Sequence, residues 1–326
     1  MEQPLDGATP KPPTEPITEP TSELSPEPIT EPDTEPDTEP ERVDALTALT
    51  RLGGVADART LFAASSRHRV ETALARREII RLSQGRYCLP SVDQARASAH
   101  VVGGVVSHLS AALHWGWPVK FPPPLPMVTV PRHRNVARKQ CDGIDVHRAE
   151  VDADDLDAGV TGRVRTVIDC SRHLPFDEAL AVADSALRSG DVSKDELTAA
   201  ANASPRTGRR AALRVAEAAD GRAAGPFESV LRAIARGVPG LLVVPQYPIA
   251  DIGYADLADP DLRLAIEADS YEFHAGRGAF RADVHRYNAF VRDGWVVLRF
   301  LWADVMHQPD YVRAVLTDVV ALASND

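Results

Sequence analysis

The chain has 326 residues, 44% of them hydrophobic, and a formal net charge of −11 at pH 7, which is length and apolar content enough for two or three domains with cores of their own. It contains no run of 18 or more apolar residues and no basic start leading into an apolar stretch, so the expected organisation excludes a membrane-spanning helix and a secretory signal and predicts a cytoplasmic protein. Cys88, Cys141 and Cys170 are far apart and lack CxxC spacing, which predicts small buried hydrophobes rather than a disulfide framework or a zinc site.

The charge is concentrated at the front. Residues 1–41 hold twelve acids and one lysine, so the other 285 residues balance 35 acids against 35 bases. This segment repeats Thr-Glu-Pro and Asp-Thr-Glu-Pro with few aliphatic side chains. Prolines remove donors and fix φ while the acids repel one another, which predicts a disordered, polyproline-like tail over 1–41.

From Val43 the pattern turns helical. Val43, Leu46, Leu49 and Leu52 share related faces of a first helix that Gly53-Gly54 ends. A second short helix fits Ala56 to Ala63, and Ser65 or Ser66 can cap a third from Arg67 to Arg77. Ile79-Ile-Arg-Leu82 and Arg86-Tyr-Cys-Leu89 then predict two strands around Gln84-Gly85. Three helices followed by such a hairpin predict a winged helix-turn-helix over 42–92, whose third helix would enter a major groove. Residues 43–89 carry eight arginines against four acids. The candidate DNA contacts are Arg67, His68, Arg69, Arg76 and Arg77 on the third helix, with Arg81 and Arg86 on the wing. A protein-interaction module with solvated arginines would fit the same pattern.

Residues 93–205 predict a mixed α/β domain, with strands at Met127–Val130 and Ile144–His147 and helices at about 164–172, 176–188 and 193–201. His108 and His114 flank Trp115 and Trp117 at a separation that suits core or surface positions rather than a metal pair. Residues Val43 to Leu89, the run Gly104-Val-Val-Ser-His-Leu-Ser-Ala-Ala112, Val146-His-Arg148 and Arg165-Thr-Val-Ile-Asp169 together resemble the AbiEi-type antitoxins, the transcriptional regulators of type IV toxin–antitoxin systems. That resemblance implies promoter binding by the winged helix, with the next domain aiding DNA contact or neutralisation of a cognate toxin.

Asn202-Ala-Ser-Pro-Arg-Thr-Gly208 predicts a turn-rich break, and a last unit is expected over 220–326. Hydrolysis of a phosphodiester needs a divalent cation held by hard oxygen ligands from neighbouring strands. Glu228 lies in the amphipathic helix that begins Pro226-Phe-Glu-Ser. Asp256 ends an apparent strand from Pro248, and the turn Ala258-Asp-Pro-Asp261 leads into Leu262-Arg-Leu-Ala-Ile-Glu267, so a hairpin would bring Asp256 and Glu267 together. His274 follows, then a helix from about Ala279 to Arg292, the strand Trp295–Phe300, and a last helix opened by Trp302 and Asp304. This succession resembles the very-short-patch-repair-like branch of the restriction-endonuclease, or PD-(D/E)xK, superfamily. The resemblance implies an α/β/α domain with Asp256, Glu267 and Glu228 as ligands of Mg, assisted by the Ala268 carbonyl. It implies His274 as general base or phosphate contact and Arg286 as a substrate contact or brace. Asp269 stands where the superfamily carries a catalytic lysine, and Ser270 where glycine is usual.

The expected architecture is therefore multi-domain α/β, with a winged helix-turn-helix in front, a mixed α/β middle and a nuclease-like back. Three functions fit it: a DNA-binding regulator with a nuclease-like domain, a Mg-dependent DNA endonuclease of defence or repair, and an antitoxin that binds a nucleotidyltransferase toxin.

Overall fold

A computed structural model describes residues 43–269 and 277–323. The tail of residues 1–41, Ser270 and His274 lie outside them. The described residues form a mixed α/β protein with fourteen α-helices and three small sheets. Among them no helix is long and apolar enough to cross a membrane.

In the front unit, α1 (Ala45–Arg51) is capped by Asp44, whose carboxylate accepts from the Thr47 amide at 2.9 Å. Gly53 then turns the chain at φ +84, where a Cβ would stand 2.5 Å from the Val119 carbonyl oxygen, so only glycine allows the approach to the middle unit. The helix expected from Ala56 starts later: Val55–Asp57 is strand β1, and α2 (Ala58–Ala64) follows it with Asp57 as cap. The reason is that Val55 to Asp57 pair with Cys88 to Arg86, a long-range ladder that local periodicity does not reveal. Ser66 caps α3 (Arg67–Ala75), and β2 (Ile80–Ser83) and β3 (Arg86–Cys88) complete an antiparallel sheet of order β1-β3-β2. Leu49, Leu61, Val70, Ile79 and Tyr87 fill the space between helices and sheet.

The middle unit runs α4 (Ser91–Val102), β4 (Val105–Val106), α5 (His108–His114), β5 (Met127–Pro131) and β6 (Asp145–Ala149), with sheet order β4-β5-β6. Five helices follow: α6 (Ala153–Ala158), α7 (Arg163–His173), α8 (Phe176–Ser189), α9 (Lys194–Ala203) and α10 (Arg206–Ala218). The expected break holds at Ser204-Pro205 between α9 and α10, while α10 runs on through residues 209–218, where no helix is expected. Gly208 at φ +78 interrupts its first turn, and Ala212, Val215 and Ala216 bury its apolar stripe against the other helices.

In the back unit α11 (Pro226–Ala235) leads into β7 (Val244–Ile249), β8 (Gly253–Asp259) and β9 (Leu264–Asp269); α12 (Arg277–Arg292) and β10 (Val296–Leu301) follow. The apparent single strand from Pro248 to Asp256 is two strands, because Ala250 at φ +43 and Gly253 at φ +145 fold it into a tight turn. The expected last helix is also two, α13 (Trp302–His307) and α14 (Pro309–Ala323), separated at Gln308 before a proline. The sheet order is β10-β9-β8-β7, antiparallel except for the β9/β10 pair. One face packs on α11, α13 and α14 through Leu231, Ile234, Leu257, Ile266, Phe300 and Leu316. The other carries Ile249, Ala265 and Trp295 against Phe290 of α12.

The middle and back units are joined by a buried ion pair. Arg232 of α11 donates to both oxygens of Asp184 on α8, at 2.8 and 2.6 Å, and to the Ala218 carbonyl at 2.6 Å. Asp184 also accepts from the Asp220 amide at 2.8 Å. Burial draws the Asp184 carboxyl upward and the guanidinium opposes it, which ties the charge of each to the presence of the other.

Candidate functional site

The β8–β9 hairpin is fixed by Asp259, whose enclosed carboxylate accepts from the amides of Asp261 at 3.1 Å, Leu262 at 3.2 Å and Leu242 at 2.7 Å. That turn sets Leu257 against Ile266, and one further step of the same register sets Asp256 across from Glu267. On the other side, the β7–β8 register that pairs Pro245 with Leu257 and Tyr247 with Ala255 sets Gln246 across from Asp256. Glu267 in turn pairs with Arg299 of β10. A polar row, Gln246, Asp256, Glu267 and Arg299, thus crosses all four strands, one residue from each. Directly opposed residues project to one side of a sheet, so the row shares a face.

Asp256 Oδ2 accepts from the Ala268 amide at 2.9 Å, where the strand ladder has ended. Its Oδ1 accepts from the Gln246 side-chain amide at 3.3 Å, and the same Nε2 donates to Glu228 Oε2 at 3.0 Å. The Ala224 amide also holds Glu228, at 2.8 Å. Glu267 is 2% exposed; Arg286 of α12 donates to its Oε2 at 3.0 Å, while among the described residues Oε1 is buried without a hydrogen-bond partner. Arg286 is itself braced by the Tyr254 carbonyl at 3.0 Å and the Tyr287 hydroxyl at 3.1 Å. Asp269 forms an ion pair with Arg299, whose guanidinium lies 4.3 Å from the Tyr287 ring centre.

These groups line a cavity of about 260 Å³ that contains Glu228, Asp256, Glu267, Asp269, Asp283 and Arg286. Burial, reinforced by the Asp256 charge, pushes Glu228 and Glu267 each up to about 7 from 4.5. Asp256 is raised as well, chiefly by burial and against the pull of the Ala268 amide and Arg286. Of the three acids, only Glu267 has an oxygen enclosed without a partner among the described residues. Among the described residues no group of three or more His, Cys, Asp or Glu side chains stands ready-made around a cation, and here the Gln246 amide sits between two of the acids. The donor set of carboxylates with one orphaned oxygen nevertheless has the hard-oxygen chemistry that Mg selects.

The predicted residues of the back unit are brought together, with Glu228, Asp256, Glu267, Asp269 and Arg286 in one cavity; His274 lies outside the described residues. Sequence reasoning missed Gln246 and Tyr287, and it noted Asp283 beside Arg286 and Arg299 in its strand without giving either a role. Gln246 was open to discovery as the one polar residue amid Val243-Val-Pro-Gln-Tyr-Pro-Ile249.

In the front unit Arg67, His68, Arg69, Arg76, Arg77, Arg81 and Arg86 are all exposed. Arg67 lies over Phe62 and Arg81 over Tyr87, at 5.3 and 5.7 Å from the ring centres, which stiffens two of the longer side chains. Arg76 stands 3.8 Å from Glu78 in solvent. Arg86 of β3 lines a second cavity, of about 340 Å³, with Asp57, Arg188, Glu228 and Ala268, and the last two line the carboxylate cavity as well. His108 is a core residue: it is stacked on His147 with ring centres 3.9 Å apart and lies 3.2 Å, nitrogen to nitrogen, from His173. Its pKa is driven well below the usual value by burial and by the neighbouring imidazoles and arginines.

No family model matches the chain. Over 167 residues, 48% of its length, it is 34% identical to the uncharacterized protein Rv2248 of Mycobacterium tuberculosis strain H37Rv, and equally to the uncharacterized protein MT2308 of strain CDC 1551. The match spans 61% of the length of those relatives. Among solved structures, that of the RV2827C protein from Mycobacterium tuberculosis aligns with 60% of this chain and 83% of its own, at 13% identity and a TM-score of 0.29.

Proposed function

We propose that this chain binds DNA through its front unit and hydrolyses phosphodiester bonds at the carboxylate cavity of its back unit with a Mg ion. The observation that carries the reading is the buried, unpartnered Oε1 of Glu267 beside Asp256, on one face of the sheet and in one cavity. The αβββαβ order from α11 to β10, with β9 and β10 parallel, supports a restriction-endonuclease-like domain. The order α1, β1, α2, α3, β2, β3 supports a winged helix-turn-helix, and the exposed Arg67, His68 and Arg69 at the start of α3 suit base and phosphate contact.

Asp256, Glu267, Glu228 and the Ala268 carbonyl would hold the cation, which when bound neutralises the phosphate and acidifies a water. Arg286, held between Glu267 and the Tyr254 carbonyl, is positioned to meet charge that develops on the phosphate. Asp57, Arg86 and Arg188 line the rim through which a strand would arrive from the wing. Incubation of supercoiled plasmid with Mg or Mn should give nicks with the protein and none with Asp256→Ala or Glu267→Ala. Equal nicking by the variants would remove the reading.

A second reading, a DNA-binding regulator of the antitoxin type that grips without cutting, is favoured by one observation. Asp269 stands where a catalytic lysine is expected and is neutralised by Arg299. Tight, salt-sensitive binding of a duplex with no metal-dependent nicking would decide for it.

A further inference from the structure

The row across the sheet contains a residue whose backbone is out of keeping with its place. Gln246 lies inside β7, with paired residues on both sides, yet it has φ +48 and drops out of the ladder opposite Asp256. A left-handed conformation is unfavourable for a residue other than glycine, so something must hold it there. What holds it is the side chain. Nε2 donates to Glu228 Oε2 at 3.0 Å and to Asp256 Oδ1 at 3.3 Å, which sets one partly positive NH2 group between two acids from different elements. The neighbouring Glu267 Oε1 is enclosed and unpartnered on the same face, so the cavity has a further oxygen that the amide does not satisfy.

We infer that the Gln246 amide is an internal stand-in for a divalent cation, seated between Glu228 and Asp256 and displaced when the ion enters. This rests on the cation-binding reading of the cavity and deepens it. An amide NH2 carries a fraction of the charge of a divalent ion and can donate to the two acids while leaving Glu267 Oε1 unserved. The ion would serve all three. The fold therefore keeps two buried acids apart without a full counter-charge, and the ion must compete with Gln246 for Glu228 and Asp256. Gln246 thus positions the acids in the ion-free protein and weakens binding of the ion.

The test uses the full chain and Mn ions, with bound and free Mn counted by electron paramagnetic resonance and melting followed with and without saturating Mn. Gln246→Met keeps the length of the side chain and removes its donors; Gln246→Leu is the second variant should the first fold poorly. The expected result is Mn binding about ten-fold tighter than in the native chain, the size that the loss of hydrogen bonds to charged groups in the ion-free form alone would give. Melting should fall by several degrees in chelator and match the native chain in saturating Mn. Unchanged affinity overturns the inference. Weaker affinity also overturns it and makes the Gln246 oxygen a ligand. If neither the native chain nor the variants bind Mn, the cation reading falls with it. If the native chain binds Mn, Asp256→Asn abolishes that binding and the Gln246 variants bind no tighter, only the inference falls.

Discussion

The front and back of this protein carry charge in opposite ways. The cationic side chains of α3, β2 and β3 stand in solvent, where they cost the fold almost nothing. The acids of the back are enclosed, where their charge is opposed by burial and held by a few amides and one guanidinium. Exposed charge of the first kind can be gained or lost by single substitutions with little effect on folding. Enclosed charge of the second kind is a standing penalty, and a site that retains it is where chemistry is to be sought.

The two ends can be disabled separately. Asp256→Ala should lower metal-dependent cleavage by about 10³-fold or more while leaving duplex affinity in chelator within a few-fold, since a bound cation supplies several kcal/mol of stabilisation to the transition state. The variant with Arg67, Arg69, Arg76 and Arg77 all changed to Ala should do the reverse. Its affinity should fall steeply at about 150 mM salt, and cleavage of a saturating oligonucleotide should persist. A single loss shared equally by both variants would mean that the two regions do not act as separate parts.

The next effect concerns the joint between the middle and back units. Asp184→Ala leaves Arg232 buried and without its carboxylate, which should cost about 3–5 kcal/mol in urea unfolding. The paired change to Asp184→Leu with Arg232→Met should recover most of that loss. A cost below about 1 kcal/mol for the single variant would show that water reaches the pair.

A smaller effect separates the ends by pH. Glu228 and Glu267 rise from 4.5 to about 7 on folding, so the folded chain holds protons that the unfolded chain has released. The resulting stability is fully present below about pH 4.5 and is lost as pH rises through about 7, on the order of 3 kcal/mol for each acid in chelator. Glu228→Gln with Glu267→Gln should flatten that decline. An identical slope in the native and double-variant proteins would contradict the burial argument.

The smallest effect is the salt slope of duplex binding. Removing one phosphate-binding cation from the front should reduce that slope by about 1. Arg86→Ala, whose side chain lines the cavity rim rather than the α3 surface, should change the slope no more than Arg81→Ala.

Much of this was legible in the residues themselves. Asp44, Ser66 and the glycine after α1 mark helix ends whose capping is local, and the apolar spacing of α7 and α8 is that of buried helices. The meeting of Asp256 with Glu267 follows from the turn at Asp259-Pro-Asp261, which is plain in the sequence. Other features depend on pairings distant in the chain. β1 exists because Val55 meets Cys88, and α10 because Ala212 and Val215 find the α7–α9 helices. Gln246 escaped notice because the turn at Ala250 hides in an unbroken apolar run; once that turn is placed, the register sets Gln246, Asp256 and Glu267 in one line. The enclosure of the acids depends on α12 and Arg286 and is not written in their spacing.

Both proposals for the back unit require that its cavity take a hard divalent cation. Anomalous diffraction from crystals soaked in Mn tests it most directly. A peak should appear within ligating distance of Asp256, Glu267 and the Ala268 carbonyl, with Glu228 turned toward it. A map at saturating Mn with no peak in that cavity would contradict it.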